Sequence, residues 1–342
     1  MTASYALSAL GRLIPVRLKQ VPGYRRKVPA AAWYGGTTVI VLALLGGAYL
    51  LSGGRGERPE ASRPAQASAG APPRHALRLG VFEPGETVSY RPVDRFAATA
   101  GRQPDIVLYY SGWGESFLSA FASTARSRGA EPFVQVYPDP LTMAQVANGH
   151  GDAYLRSYAA QVRAFGHPVI LSFAPEANGP WYRYGWSHAP PSEWIAAWRH
   201  VVTVFRQAGA RNVTWLWTMN VDFPRSGPIT DYWPGAAYVD WIGIDGYYVR
   251  PGATFGSVFG RTLGEVRSIT RKPVLLSETA AGQVAGQARS IRNMFAAIQR
   301  LHLLGLVWFD QAQHHGIYHQ DWRLEGHPAA VAAFRSALAH AP

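Results

Sequence analysis

The feature that most constrains this chain is an alternation that begins near residue 77. Short apolar runs, rich in β-branched and aromatic residues, are separated by longer stretches with helical spacing. The runs cover 77–82, 105–110, 132–137, 168–173, 213–219, 238–245, 273–277 and 305–309. Several are continuously apolar rather than alternating, as expected for parallel strands buried on both faces. Between them lie helix candidates such as 192–207 (SEWIAAWRHVVTVFRQ), which opens on a Ser cap, and 287–301 (QARSIRNMFAAIQRL). Eight such strands alternating with helices predict an α/β fold, a (β/α)8 TIM barrel over 77–342. A doubly wound open sheet is the alternative. It would need a Gly-rich dinucleotide loop after the first strand, and none follows.

The chain of 342 residues is longer than the barrel requires, and the excess lies upstream. Residues 33–52 (WYGGTTVIVLALLGGAYLLS) carry no charge and are long enough to cross a bilayer as a helix. Trp33, Tyr34 and Tyr49 sit near the ends of the run, where interfacial aromatics are favoured. Six basic residues and no acid precede it in 1–32. The expectation is a cytoplasmic basic tail, a single-pass signal-anchor at the cell membrane, and a domain facing outward. Secretion after signal cleavage is the alternative, although the leader is long for that. Segment 53–76 is dominated by Gly, Pro, Ala and Ser without apolar periodicity, and reads as a disordered tether.

The formal net charge of +12 is concentrated in this tail and linker; 77–342 holds 23 basic and 19 acidic residues. A clustered basic face is therefore not indicated, and a nucleic-acid partner is not expected. With no cysteine, disulfides, thiolate metal sites and Cys nucleophiles are excluded. The 12 Trp residues exceed what a core of this size needs. Their flat apolar faces with polar edges suit sugar rings.

In a TIM barrel the chemistry sits at the C-terminal strand ends. The fourth run continues PVILSFAPEANGPWYRYGW, which places Glu176 just beyond the apolar stretch and before Trp181, Tyr182, Tyr184 and Trp186. A carboxylate among aromatics is desolvated, its pKa rises, and it can serve as an acid. The seventh run, KPVLLSETA, places Glu278 directly after its apolar residues, aimed at the barrel mouth. The plainer readings are a surface ion pair for Glu176 and a helix-dipole partner for Glu278. Two carboxylates at one mouth are what glycoside hydrolysis needs: one protonates the leaving oxygen, and the other attacks the anomeric carbon or activates water.

Glu on strand four and Glu on strand seven resemble the arrangement of the retaining TIM-barrel glycosidase clan. Within it, PEANGPWYRYG, DWIGIDGYY and KPVLLSETA resemble the motifs of glycoside hydrolase family 26, a family of β-mannanases, β-1,3-xylanases and mixed-linkage β-glucanases. The resemblance covers roughly 77–338 and implies a retaining, cofactor-free and metal-free double displacement. It implies Glu176 as acid/base, Glu278 as nucleophile, and Tyr247 as a hydrogen-bond donor to the nucleophile. It also implies Trp181 lining the cleft and Trp308 as its aromatic floor. One departure stands out: the family places His before the acid/base, and this chain has Pro175, which offers no side-chain donor. A non-catalytic polysaccharide-binding barrel in surface-polymer assembly is the competing reading.

Other strand ends supply less specific candidates. Tyr110, Trp113, Trp186, Asn220, Asp222 and Asp245 could each bond sugar hydroxyls, or could serve the fold alone. His314, His315 and His319 follow strand eight and read as rim residues rather than metal ligands. The expected partners are a polysaccharide and the membrane, with the chain monomeric.

Overall fold

A computed structural model describes residues 76–313 and 319–340. The expected tail, anchor and nearly all of the tether (1–32, 33–52 and 53–75) lie outside them. Among the described residues no helix is long and apolar enough to cross a membrane.

Eight parallel strands close into a barrel in sequence order. They are β1 (Arg78–Phe82), β2 (Ile106–Gly112), β3 (Glu131–Tyr137), β4 (Val169–Phe173), β5 (Val213–Asn220), β6 (Trp241–Tyr248), β7 (Val274–Ala281) and β8 (Gly305–Phe309). Each of the eight expected runs overlaps one strand. The helices are α1 (Arg91–Ala100), α2 (Ser119–Ser127), α3 (Met143–Ala147), α4 (Asp152–Phe165), α5 (Pro191–Gln207), α6 (Phe255–Ile269), α7 (Gln287–Arg300) and α8 (Pro328–Ala339). A short hairpin, β9 (Ala312–Gln313) with β10 (Gln320–Asp321), follows β8.

Three details depart from the expected pattern. No α-helix joins β5 to β6; only two 3-10 turns, Ile229–Tyr232 and Ala236–Tyr238, do. Pro224, Pro228 and Pro234 in this segment each remove a backbone donor and break any helix. The second turn takes residues 236–238, so β6 starts at Trp241 and runs on through Tyr247 and Tyr248. Helix α5 lacks the expected Ser192 cap: Pro190 occupies the cap position and Pro191 opens the first turn.

The barrel interior below the mouth is small and polar. Ser172 Oγ donates to Thr218 Oγ1 at 2.9 Å, and Ser277 donates to Asp245. Gly243 fits among them because a Cβ there would stand 2.5 Å from Ser277 Oγ and 2.7 Å from Thr218 Oγ1. Larger side chains, including Trp194, Trp198, Trp217 and Trp308, are buried in the rest of the core.

Candidate active site

Glu176 lies three residues past β4, on a strained bend. Ala174 and Glu176 both take positive φ (45° and 55°) on either side of Pro175. Such conformations cost of order 1–3 kcal/mol each and persist only where the surroundings hold them. Here they are held. Ala174 N–H donates to Val136 O, and Glu176 N–H donates to Thr218 O on β5. Trp194 Nε1 donates to Ala174 O, and Tyr184 Oη donates to Pro175 O. The bend turns the Glu176 side chain to the mouth, where Trp181 Nε1 donates to Oε2 at 2.9 Å and Asn220 Nδ2 donates to Oε1 at 2.5 Å. Asn220 is itself fixed: Asn178 accepts from its backbone N–H and donates to its backbone carbonyl, both at 2.9 Å.

Glu278 sits inside β7, three residues before its end. The pairing register shifts between Leu276 and Thr279 against β8, and between Gly243 and Asp245 on the β6 side. A bulge of this kind re-aims a side chain, and Glu278 is the residue it presents. Tyr110 Oη on β2 donates to Oε1 and Tyr247 Oη on β6 donates to Oε2, each at 2.8 Å.

Both glutamates keep some contact with solvent, but protein crowds them. Burial raises the Glu176 pKa, with Asn220 and Trp181 pulling against it. Burial first, and then the charge of Glu176, push Glu278 up to about 7; Tyr110, Tyr247 and Gln135 oppose this. Two carboxyls that repel in this way hold one proton between them near neutrality. Two side-chain donors reach each carboxyl, Tyr110 and Tyr247 at Glu278 and Trp181 and Asn220 at Glu176, so each can carry negative charge.

The other expected residues fall into two groups. Tyr110, Trp181, Asn220 and Tyr247 touch the two glutamates. Trp181 also stacks on Phe223 at 5.5 Å and forms an aromatic wall beside Glu176. The remainder stand elsewhere. Trp308 is fully buried on the outer face of β8, edge-on to Phe334 of α8 at 5.2 Å, so it is not the cleft floor. Side chains alternate along a strand, and the inward residue is its neighbour Phe309, which packs on Phe82 and Tyr247. Asp245 is fully buried, and burial and then Glu278 push its pKa well up, so it cannot meet a sugar. Trp113 packs on Tyr154 at 4.5 Å and over Gly151, and Trp186 lies against Gly227. Asp222 pairs with Arg261 of α6. His319 is exposed, and His314 and His315 lie outside the described residues.

Sequence reasoning missed Gln135, Tyr137 and Phe223. Asn178 lies inside the motif PEANGPWYRYG, but its support of Asn220 is visible only in the structure.

A closed parallel barrel with two interacting carboxyls at its mouth defines the class: an α/β barrel with a two-carboxylate site. Comparison with known proteins makes it specific. Residues 152–281 match the family model described as Glycosyl hydrolase family 26. Endoglucanase H of Acetivibrio thermocellus is 31% identical over 279 residues, which is 77% of this chain and 30% of that protein. Beta-1,3-xylanase TXYA of Vibrio sp. is 32% identical over 101 residues, 29% of this chain and 21% of that one. The solved endo-beta-1,4-mannanase of Cellulomonas fimi superposes with a TM-score of 0.60 at 16% identity, covering 78% of this chain and 71% of that one, and so shares the fold. The chain is similar to glycosyl hydrolase family 26 over residues 152–281. It spans under a third of the length of the endoglucanase it matches.

Proposed function

We propose that this chain is a retaining endo-acting glycoside hydrolase that cleaves β-linked polysaccharide, with Glu176 as acid/base and Glu278 as nucleophile. One observation carries the reading: two carboxyls from β4 and β7 interact at one mouth, each with its own set of donors. In the first step Glu278 attacks the anomeric carbon. The glycosidic C–O bond breaks, and Glu176 gives its proton to the departing oxygen. In the second step Glu176 takes a proton from water, whose oxygen displaces Glu278 from the sugar.

Between the two sugar classes, β-glucan is favoured over mannan. The relative that aligns over most of the chain is named an endoglucanase. Pro175 also leaves the site without the histidine that the family motif places before the acid/base. Incubating the full chain with mixed-linkage β-glucan, mannan and β-1,3-xylan, and assaying reducing ends, should show release from the glucan first. Proton NMR should show the β-anomer as the initial product. Binding to all three polymers with no release from any would instead support the non-catalytic barrel.

The N-terminal expectations belong to the same proposal: an uncleaved anchor over 33–52, a tether over 53–76, and a monomeric domain facing outward. The full chain should then sediment with membranes after alkaline carbonate washing. Recovery in the soluble fraction, shortened at the N-terminus, would establish cleavage and secretion instead.

A further inference from the structure

The hold on Glu278 is asymmetric in origin. Tyr247 comes from β6, which neighbours β7, whereas Tyr110 comes from β2, on the far wall of the barrel from β6. Each phenol takes a different carboxylate oxygen. Among the described residues no Arg, Lys or His bonds to Glu278, and its two phenol donors are neutral. The Tyr110 ring is set by packing independent of its hydroxyl, edge-on to Phe82 at 4.9 Å and tilted on Tyr137 at 6.0 Å.

We propose that Tyr110 is a positioning residue for the nucleophile. It fixes one Glu278 oxygen from across the barrel while Tyr247 fixes the other, which sets the carboxylate plane without a counter-charge. The proposal rests on reading Glu278 as the nucleophile. Its chemical sense lies in what happens as the ester forms. One oxygen bonds to the sugar and becomes a poor acceptor, while the other becomes a carbonyl that still accepts a hydrogen bond. With one donor per oxygen, the carboxylate is held before attack and remains held on one side after it. A cation at the same place would stabilise the anion more strongly and make it a weaker nucleophile. The competing role for Tyr110 is a simple contact with a sugar hydroxyl.

Tyr110→Phe separates the two roles, because it keeps both ring contacts and removes only the hydroxyl. In the full chain acting on mixed-linkage β-glucan, kcat should fall about 10–100-fold, the loss expected for one hydrogen bond to a charged group. KM should stay within about twofold. The acidic limb of kcat/KM should move up by about one pH unit, since a lost donor to the anion raises its pKa. The groups facing Glu278 are Tyr110 on β2, Tyr137 on β3, Glu176 and Tyr182 from the β4 loop, and Asp245 and Tyr247 on β6. The tyrosine pKa values are all raised, and burial pushes that of Asp245 well up, which leaves Glu176 as the other group to control for. The shift should persist in a Glu176→Gln background. A raised KM with unchanged kcat, or an unmoved acidic limb, would overturn the proposal in favour of a sugar contact.

A second readout needs no turnover. The melting-temperature deficit of Tyr110→Phe should be larger at pH 8 than at pH 5, and this pH dependence should vanish when Glu278→Gln is added. A deficit that is the same at both pH values overturns the proposal. Absence of hydrolysis by the unsubstituted chain overturns the functional reading instead, so the two failures are distinguishable.

Discussion

Glu278→Gln yields a barrel that no longer turns over polysaccharide and melts at a higher temperature than the unsubstituted chain at pH 8. The loss of activity follows from the proposed chemistry, since an amide cannot form the glycosyl ester. Removing a nucleophile of this kind costs on the order of 10⁴-fold or more. The gain in stability follows from the site. The folded-state pKa of Glu278 is pushed up to about 7, first by burial and then by Glu176, whereas in the unfolded chain it is about 4.3. Below about pH 4 the residue is protonated in both states and imposes no penalty. As pH rises from there toward 7, the unfolded chain ionises first and the fold loses stability; above 7 the penalty is complete. At 1.36 kcal/mol per unit the ceiling is about 3–4 kcal/mol. Partial solvent contact and coupling to Glu176 bring a reasonable expectation to about 1–2 kcal/mol. For a domain this size that is a few degrees. Glutamine keeps an oxygen that can accept from Tyr110 or Tyr247, so the packing survives. Scanning calorimetry at pH 4.5 and pH 8 checks it: the substituted protein should be stabilised only at the higher pH. Equal melting temperatures at pH 8 would mean that the carboxyl is not strained.

This conflict between function and stability also marks the limit of what the amino-acid pattern reveals. Strand positions were legible because burial on both faces writes a continuous apolar run, and each of the eight runs overlaps a barrel strand. The two glutamates were legible because a charged residue directly after such a run has few places to point except the mouth. What the pattern hides is anything set by parity or by closure. Trp308 and Phe309 are adjacent and both aromatic, and only the register of β8 decides which faces inward. Tyr110 looked like a sugar contact because its partner, Glu278, is 168 residues away. The bulges that aim Glu278 are pairing irregularities on both sides of β7, which have no local signature. Gln135 and Phe223 belong to strands and loops whose composition is ordinary. The absent helix between β5 and β6 departs from the expected alternation, although its three prolines are a local signal that could have been read.

Glu176→Gln should separate the two steps of the reaction by the quality of the leaving group. On polysaccharide the departing sugar hydroxyl is a poor leaving group and needs a proton as the C–O bond breaks. Losing the acid should lower kcat/KM about 10²–10⁴-fold, the usual reach of general acid catalysis. On a 2,4-dinitrophenyl β-glycoside the leaving phenolate needs no proton, so kcat/KM for the first step should fall less than about tenfold. Deglycosylation still needs a base to activate water, so the glycosyl ester should accumulate and appear as a burst of dinitrophenolate followed by a slow steady state. The pH profile gives an independent check. Burial raises the Glu176 pKa, and loss of its proton should end activity on the alkaline side. In Glu176→Gln that limb should flatten, while the acidic limb set by Glu278 stays close to its place, because in the active form Glu176 is protonated and uncharged as Glu278 ionises. The coupling of the two carboxyls shows in the other single variant. Glu278→Gln removes a nearby negative charge, so the pKa of Glu176, followed by carbon NMR of its carboxyl, should fall, as it must if the two flank one glycosidic bond. An unchanged Glu176 pKa would mean that the two carboxyls do not share one site, and the double-displacement assignment would fall with it.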